Sequence, residues 1–357
     1  MTDLSKLSPK QWAQKQRENL GMDLAFEWDD RAMSTLLASM PQGQRHEAEK
    51  TWRTRIGSPL SDIHEEQMMQ YLASLVIPRK LVDDFSILAE QFILMPTNEI
   101  NAYAGTIPRG DRIVVIHEAL THVVAIFSHW LLFAQEQASK GKSVPPEMNK
   151  EMERYFLAVW FSDSHFQNRP QAFPRTEEFW ELSEFLSYSV MRFILAHEIG
   201  HIFHNHKGYT ASHDHNHRME YDADDFAFRC CVWTSVVGGV TLDDNYFSLY
   251  SLLGPFFGLA IISLLGNEDS STHPSCQRRM AHLLSKFDDI LEEATLEVGT
   301  GKFIEWLGSD FKKVIENLTA QSMAVFAQLR PGISREIAKR SSSNVWLTDG
   351  LLEWRQS

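Results

Sequence analysis

Apolar residues recur at three- and four-residue intervals over most of this chain, the spacing that lines up side chains on one face of a helix. Through residues 1 to about 95 the period is carried by Trp12, Leu20, Leu24, Phe26 and Trp28, then by Met68, Met69, Leu72, Leu75 and Val76, then by Phe85, Leu88, Phe92 and Ile93. It predicts an N-terminal helical layer. At Arg112 the pattern changes: R-I-V-V-I is short and β-branched, follows the turn-forming P-R-G-D, and predicts a strand or hairpin that runs at once into helix. Residues 138–180 hold two loop-like stretches, K-G-K-S-V-P-P-E and N-R-P-Q-A-F-P-R, around a short helix, and predict an insertion packed on the surface. Beyond about residue 290 the helical spacing returns in Ile290–Val298, Phe303–Leu318 and Ser322–Leu329, predicting a C-terminal helical layer. No internal repeat is visible. The predicted organisation is a layer at 1–95, a core at 96–289 that contains the insertion, and a layer at 290–357, in a mostly α (α+β) fold with a small sheet.

Tyr246 to Gly266 is free of charge and long enough to cross a bilayer. It contains Gly254, Pro255 and Gly258 and is flanked by Asp243, Asp244, Glu268 and Asp269, with no basic anchor, so a buried core helix broken near Pro255 is the favoured reading and a membrane partner is not expected. The formal charge of −13 argues against a nucleic-acid partner. Met1 to Leu20 carries Lys6, Lys10, Lys15 and Arg17 among scattered apolar residues and lacks the apolar run of a signal peptide. The three cysteines, Cys230, Cys231 and Cys276, form no C-x-x-C pair, and a reducing cytoplasm is the expected compartment.

The informative chemistry lies between Phe193 and Asp225. His197 and His201, in H-E-I-G-H, are four apart and share one helix face, where two imidazoles can grip one zinc ion. Glu198 is placed beside the metal, where its carboxylate can take a proton from water. A hydrolytic zinc site needs a third protein ligand, and Glu220, nineteen residues after His201, is the candidate: the interval lets the chain leave one helix, turn and return on another. Asp224, four residues further on the same face, can accept the other N–H of a ligand imidazole and fix its tautomer; the alternative is a plain surface acid, the favoured reading for Asp222 and Asp225. A pair of hydrogen-bonded core histidines is the competing reading of His197 and His201. His117 and His122 are five apart and cannot clamp one ion from a regular helix, so they read as structural. His204, His206, His213, His215 and His217 read as a solvated polar loop, with extra metal binding the less favoured alternative.

These residues resemble the gluzincin metallopeptidases of the HtpX, CAAX-prenyl-protease and OMA type. Asn101–Ala104 with Arg112–Ile116 is similar to that group's N-A-F-A…R-I-V-V stretch, Ser189–His206 to its active-site helix, and Glu220–Asp224 to its E-x-E-A-D. Ser271–Pro274 with Arg279 is similar to its S-T-H-P-x-x-x-x-R element. The resemblance implies a minigluzincin-like core with a small β-sheet bordering the cleft and an H-E-x-x-H helix, wrapped by N- and C-terminal helices. It implies a strand that pairs with substrate backbone, an oxyanion-steadying role for His273, and an Arg279 that braces the site through a carboxylate; a histidine merely capping a helix before Pro274 is the alternative for His273. A looser likeness links the chain to Lit-type phage-exclusion peptidases, helical H-E-x-x-H proteins that cut a host translation factor on a phage signal.

The expected activity is zinc-dependent endopeptidase chemistry on a protein or peptide substrate, with one Zn2+ per chain held by His197, His201 and Glu220 and with Glu198 as general base. The alternatives are the Lit-type biology of the same chemistry and a catalytically silent peptidase-like module that grips a partner without cutting it.

Overall fold

In a computed structural model, the structure describes residues 4–19, 30–58, 66, 69–78, 81, 91–95, 97, 100–160, 173–174, 176–241, 245–264, 269–299 and 311–341. Among the described residues, a short 3-10 turn (Leu4–Lys6) is followed by α1 (Pro9–Asn19), α2 (Asp30–Ser39) and α3 (Gln42–Thr54). A sheet of β1 (Phe92–Met95), β2 (Ala102–Thr106) and β3 (Arg112–His117) follows. Then come α4 (Glu118–Ser139), α5 (Pro146–Trp160), α6 (Glu177–Phe203), α7 (His213–Thr241), α8 (Asn245–Ile262), α9 (Cys276–Val298) and α10 (Phe311–Ser341). The fold is mostly helical with one small sheet, as the pattern of the sequence predicts.

β3 is the middle strand, parallel to β1 and antiparallel to β2, with Phe92 opposite Val114 and Ala104 opposite Val114 on the other side. Its alternation serves two cores. Val114 and Ile116 face the main helical core, while Ile113 and Val115 pack with Ile93 and Met95 against Trp12 and Ala13 of α1. Phe92 and Ile93, predicted as helical, therefore lie in a strand. A strand covered on both faces reads as an unbroken apolar run, and F-I-L-M has no period that separates it from a helix turn. Leu20, Leu24, Phe26, Trp28, Met68, Phe85 and Leu88 lie outside the described residues.

The second correction concerns 138–180. Its helix, α5, does not ride on the surface: Met148, Met152, Tyr155 and Phe156 form an apolar stripe inside the main core. Phe156 meets Phe127 of α4 edge to face, and Phe326 of α10 packs at a tilt against Phe127 and Trp130. The third concerns Pro255, where α8 continues without a break. Proline costs the helix one hydrogen bond, and here the helix is enclosed by α6 and α7 with Leu252, Phe256, Phe257 and Leu259 fully buried. Among the described residues no helix is long and apolar enough to cross a membrane.

α6 is the axis of the molecule. Thr176 caps its first turn by accepting the Phe179 N–H, and the middle of the helix, from Ser189 to Gly200, is buried on all sides. α7 and α8 approach it at backbone distance. A Cβ on Gly200 would stand 2.9 Å from Cα of Ala223 in α7, and one on Gly254 of α8 would stand 2.6 Å from the carbonyl carbon of Ser189. Only glycine allows these two contacts.

Candidate metal centre

The close approach at Gly200 decides what α7 presents to α6. With Ala223 against Gly200, Glu220 and Asp224 fall one turn apart on the α7 face that looks at His197 and His201. Nε2 of His197 lies 3.2 Å from Nε2 of His201. Each of these nitrogens is 3.5 Å from an oxygen of Glu220, His197 from Oε2 and His201 from Oε1. All three candidate ligand atoms thus fall within 4.8 Å of one another, close enough to share one ion.

Around the triad, Asp224 is fully buried, with Oδ1 3.0 Å from Nδ1 of His197. Arg279, in the first turn of α9, grips the same carboxylate with Nε at 2.8 Å and Nη2 at 2.6 Å. The helix that carries it begins at Ser275, whose hydroxyl accepts the Arg278 N–H. Burial pushes the Asp224 carboxyl up, and Arg279 more than offsets this, so it stays ionised below its ordinary range. Its charge is balanced by Arg279. The Glu220 carboxylate is 1 % exposed, and its Oε2 accepts no hydrogen bond and has only the longer contacts to His197 Nε2 at 3.5 Å and Arg279 Nη1 at 3.6 Å. A buried carboxylate oxygen that accepts no hydrogen bond is costly, and it calls for a cation. In the protein alone that cation is a proton on His197: burial disfavours it, but the facing carboxylates of Asp224 and Glu220 raise the ring to about 10. His201, pressed by burial and by the His197 charge, is lowered to about 3. Two imidazoles with one carboxylate suit a divalent ion.

Glu198 points from the same helix toward the sheet. Burial raises its carboxyl to about 7, with the backbone N–H of Ala104 as a hydrogen-bond donor to it. Among the described residues β2 is an edge strand of the sheet and packs beside α6, which places the general-base candidate against it.

Two residues of this neighbourhood escape sequence reasoning. Tyr209, in the loop between α6 and α7, donates its hydroxyl to Oε1 of Glu220 at 2.8 Å, and the hydroxyl oxygen lies 2.7 Å from Nε2 of His273. Burial of the hydroxyl first, and the Glu220 charge next, raise the phenol further above its ordinary value, so it remains a neutral donor. His273 itself is 3.6 Å from Glu220 Oε1 and half exposed. The fully buried Asn216 ties the two loops together, binding Thr210 on one side and the Ser271 carbonyl on the other. The second missed residue is His206, whose Nδ1 lies 2.8 Å from Nδ1 of His201. A loop has no period to read, and neither residue carries a signal in the sequence beyond its chemical type.

The remaining histidines separate. His117 ends β3 and is hydrogen-bonded to Thr97, while His122 stands 3.5 Å from Glu118 on α4. His217 bonds the Ser270 carbonyl and packs on His213. Asp225 pairs with His282 at 2.7 Å.

Comparison with known proteins adds one match. The model of a family described as Peptidase U49 matches residues 124–298, a little under half of the chain, from α4 to the end of α9. No curated protein and no solved structure matches. The matched span holds His197, Glu198, His201, Glu220, Asp224, His273 and Arg279, and its similarity supports a peptidase acting on protein, related to the Lit type.

Proposed function

We propose that the chain is a zinc endopeptidase that hydrolyses a peptide bond by activating water. The observation that carries this reading is the convergence of both Nε2 atoms of the H-E-x-x-H pair and the Glu220 carboxylate, whose Oε2 accepts no hydrogen bond, on one small volume, with Glu198 next to it on the same helix. His197, His201 and Glu220 would hold the ion, which when bound supplies the Lewis acidity that acidifies a water and polarises a scissile carbonyl. Glu198 accepts the water proton and delivers it to the leaving amine. Its carboxyl, raised to about 7 by burial, exchanges a proton readily in both directions near neutral pH, and the Ala104 N–H keeps one of its oxygens in place. Tyr209 and His273 stand at the exposed mouth of the triad, the first donating its hydroxyl to Glu220 Oε1 and the second facing the Tyr209 oxygen through Nε2, and either serves a developing oxyanion only by giving up that partner. β2, an edge strand of the described sheet beside the H-E-x-x-H helix, is the strand that an extended substrate segment would line up with, the usual way a sheet edge binds a peptide. Three free, buried cysteines agree with a reducing cytoplasm.

For the biology, the Peptidase U49 match favours the Lit-type comparison over the HtpX, CAAX and OMA one: a peptidase that attacks a particular host protein when triggered. The test uses one substitution and a lysate. Glu198→Gln retains the bound ion and lowers hydrolysis by about 10²- to 10⁴-fold. New protein N-termini, read by mass spectrometry, appear with the wild type and not with the variant. A variant that cuts at the wild-type rate removes Glu198 as the base, and a wild type that captures a partner but generates no new termini makes the protein a binding module.

A further inference from the structure

The two clamp histidines need their Nδ1 atoms held, because the hydrogen bond on one ring nitrogen fixes the tautomer and the aim of the other. For His197 the holder is Asp224. For His201 no carboxylate among the described residues is in place; its Nδ1 faces Nδ1 of His206 at 2.8 Å, with the rings 5.0 Å apart and steeply inclined. When Nε2 of His201, which is turned to the triad, serves as a ligand, its ring proton lies on Nδ1 and is donated, and His206 then accepts through an unprotonated Nδ1. A segment immediately after a helix is ordinarily loose, yet this one is built. Asn205 has a left-handed backbone, φ 53°, which turns the chain back so that position 206 returns to the last turn of α6. Arg112, at the start of β3, spans the turn: Nη1 donates to Oδ1 of Asn205 at 3.1 Å, and Nη2 donates to the carbonyls of His201 at 3.4 Å and His206 at 3.2 Å. The His206 N–H closes it on the His201 carbonyl at 3.0 Å.

We infer that His206, carried on the Asn205 turn and tied down by Arg112, is the positioning residue for His201, and that a neutral imidazole does for this ligand what a buried carboxylate does for its neighbour. The inference rests on the reading of His201 as a metal ligand. Arg112 gains a role by the same reasoning, since its guanidinium joins β3 of the sheet to the turn that aims the ligand.

The experiment measures zinc affinity by chelator competition, and the absorption bands of the cobalt-substituted protein, for the full chain and for His206→Ala and His206→Asn. Asparagine places an amide oxygen near the position of the lost Nδ1 and keeps an acceptor there. His206→Ala should bind zinc about 10-fold more weakly, at the lower end of the range for losing such a partner, with shifted cobalt bands. His206→Asn should recover most of the affinity and the wild-type bands. The melting temperature of the metal-free variants should match that of the metal-free wild type. Equal affinity and an unchanged spectrum in His206→Ala overturn the inference. So does a His206→Asn as weak as His206→Ala, or a loss of affinity that only follows a lower metal-free melting temperature, since either makes the residue structural. A wild-type chain that binds no divalent ion fails one step earlier, at the metal reading itself.

Discussion

His197 and His201 are one helical turn apart on α6, yet they are supported in opposite ways. His197 leans on Asp224 and Arg279, a carboxylate and a guanidinium that are both out of water and belong to two further helices. His201 leans on a half-buried histidine five residues along the same chain, held by an arginine from the sheet across hydrogen bonds of 3.1 to 3.4 Å. The first support is part of the core and cannot be removed without leaving a charge stranded in it. The second lies at the rim and can be removed with little more than a local loosening. One ligand is fixed by tertiary structure, the other by a turn.

The contrast is broken or sharpened by substitution. Asp224→Ala strands Arg279 in the core, and it should cost about 3 to 5 kcal/mol of stability, read from urea unfolding of the metal-free protein. A loss within about 1 kcal/mol would show that the Asp224–Arg279 pair is not part of the frame. Next comes Gly200→Ala, whose methyl group meets the Ala223 backbone at 2.9 Å and must push α7 outward. It should cost about 1 to 3 kcal/mol and weaken metal binding as Glu220 withdraws, whereas a neutral outcome would mean that α7 is free to slide. Smallest is Arg112→Ala. With hydrogen bonds of middling length at a half-exposed site, it should lower stability by no more than about 1 kcal/mol, while zinc affinity falls measurably. Arg112→Ala as damaging to the fold as Asp224→Ala would erase the difference between the two supports.

The parts of the site that can be found in the sequence are those that obey helical arithmetic. His197 with His201, and Glu220 with Asp224, are four apart on their helices, and a shared face follows from the spacing alone. Arg279 is reached only through the resemblance to a family motif, because nothing local ties position 279 to position 224. Tyr209 and His206 are out of reach altogether: each comes to the triad because the chain doubles back after α6, in a stretch whose five histidines read as solvated. The fold shows the same division. The end of α9, from 290 to 298, and the parts of α10 at 311–318 and 322–329 follow from their apolar spacing, whereas the start of α9 does not, and residues 303–310 lie outside the described residues. β1 does not follow, since its four residues are buried on both faces and lack the alternation that marks a strand. α5 is misplaced for another reason, the proline- and glycine-rich stretches around it, which conceal a helix with a wholly apolar face. At Pro255 the local rule is sound but the surroundings overrule it, because an enclosed helix tolerates one missing bond.

Gly200 and Gly254 carry a further consequence. Where main chain rests directly on main chain there is no layer of side-chain rotamers to absorb a shift, so the middle of α6 has the stiffness of the whole stack. Its amides should exchange with deuterium only when the entire molecule opens, and the jaws that would hold an ion are kept at their spacing by the absence of two methyl groups.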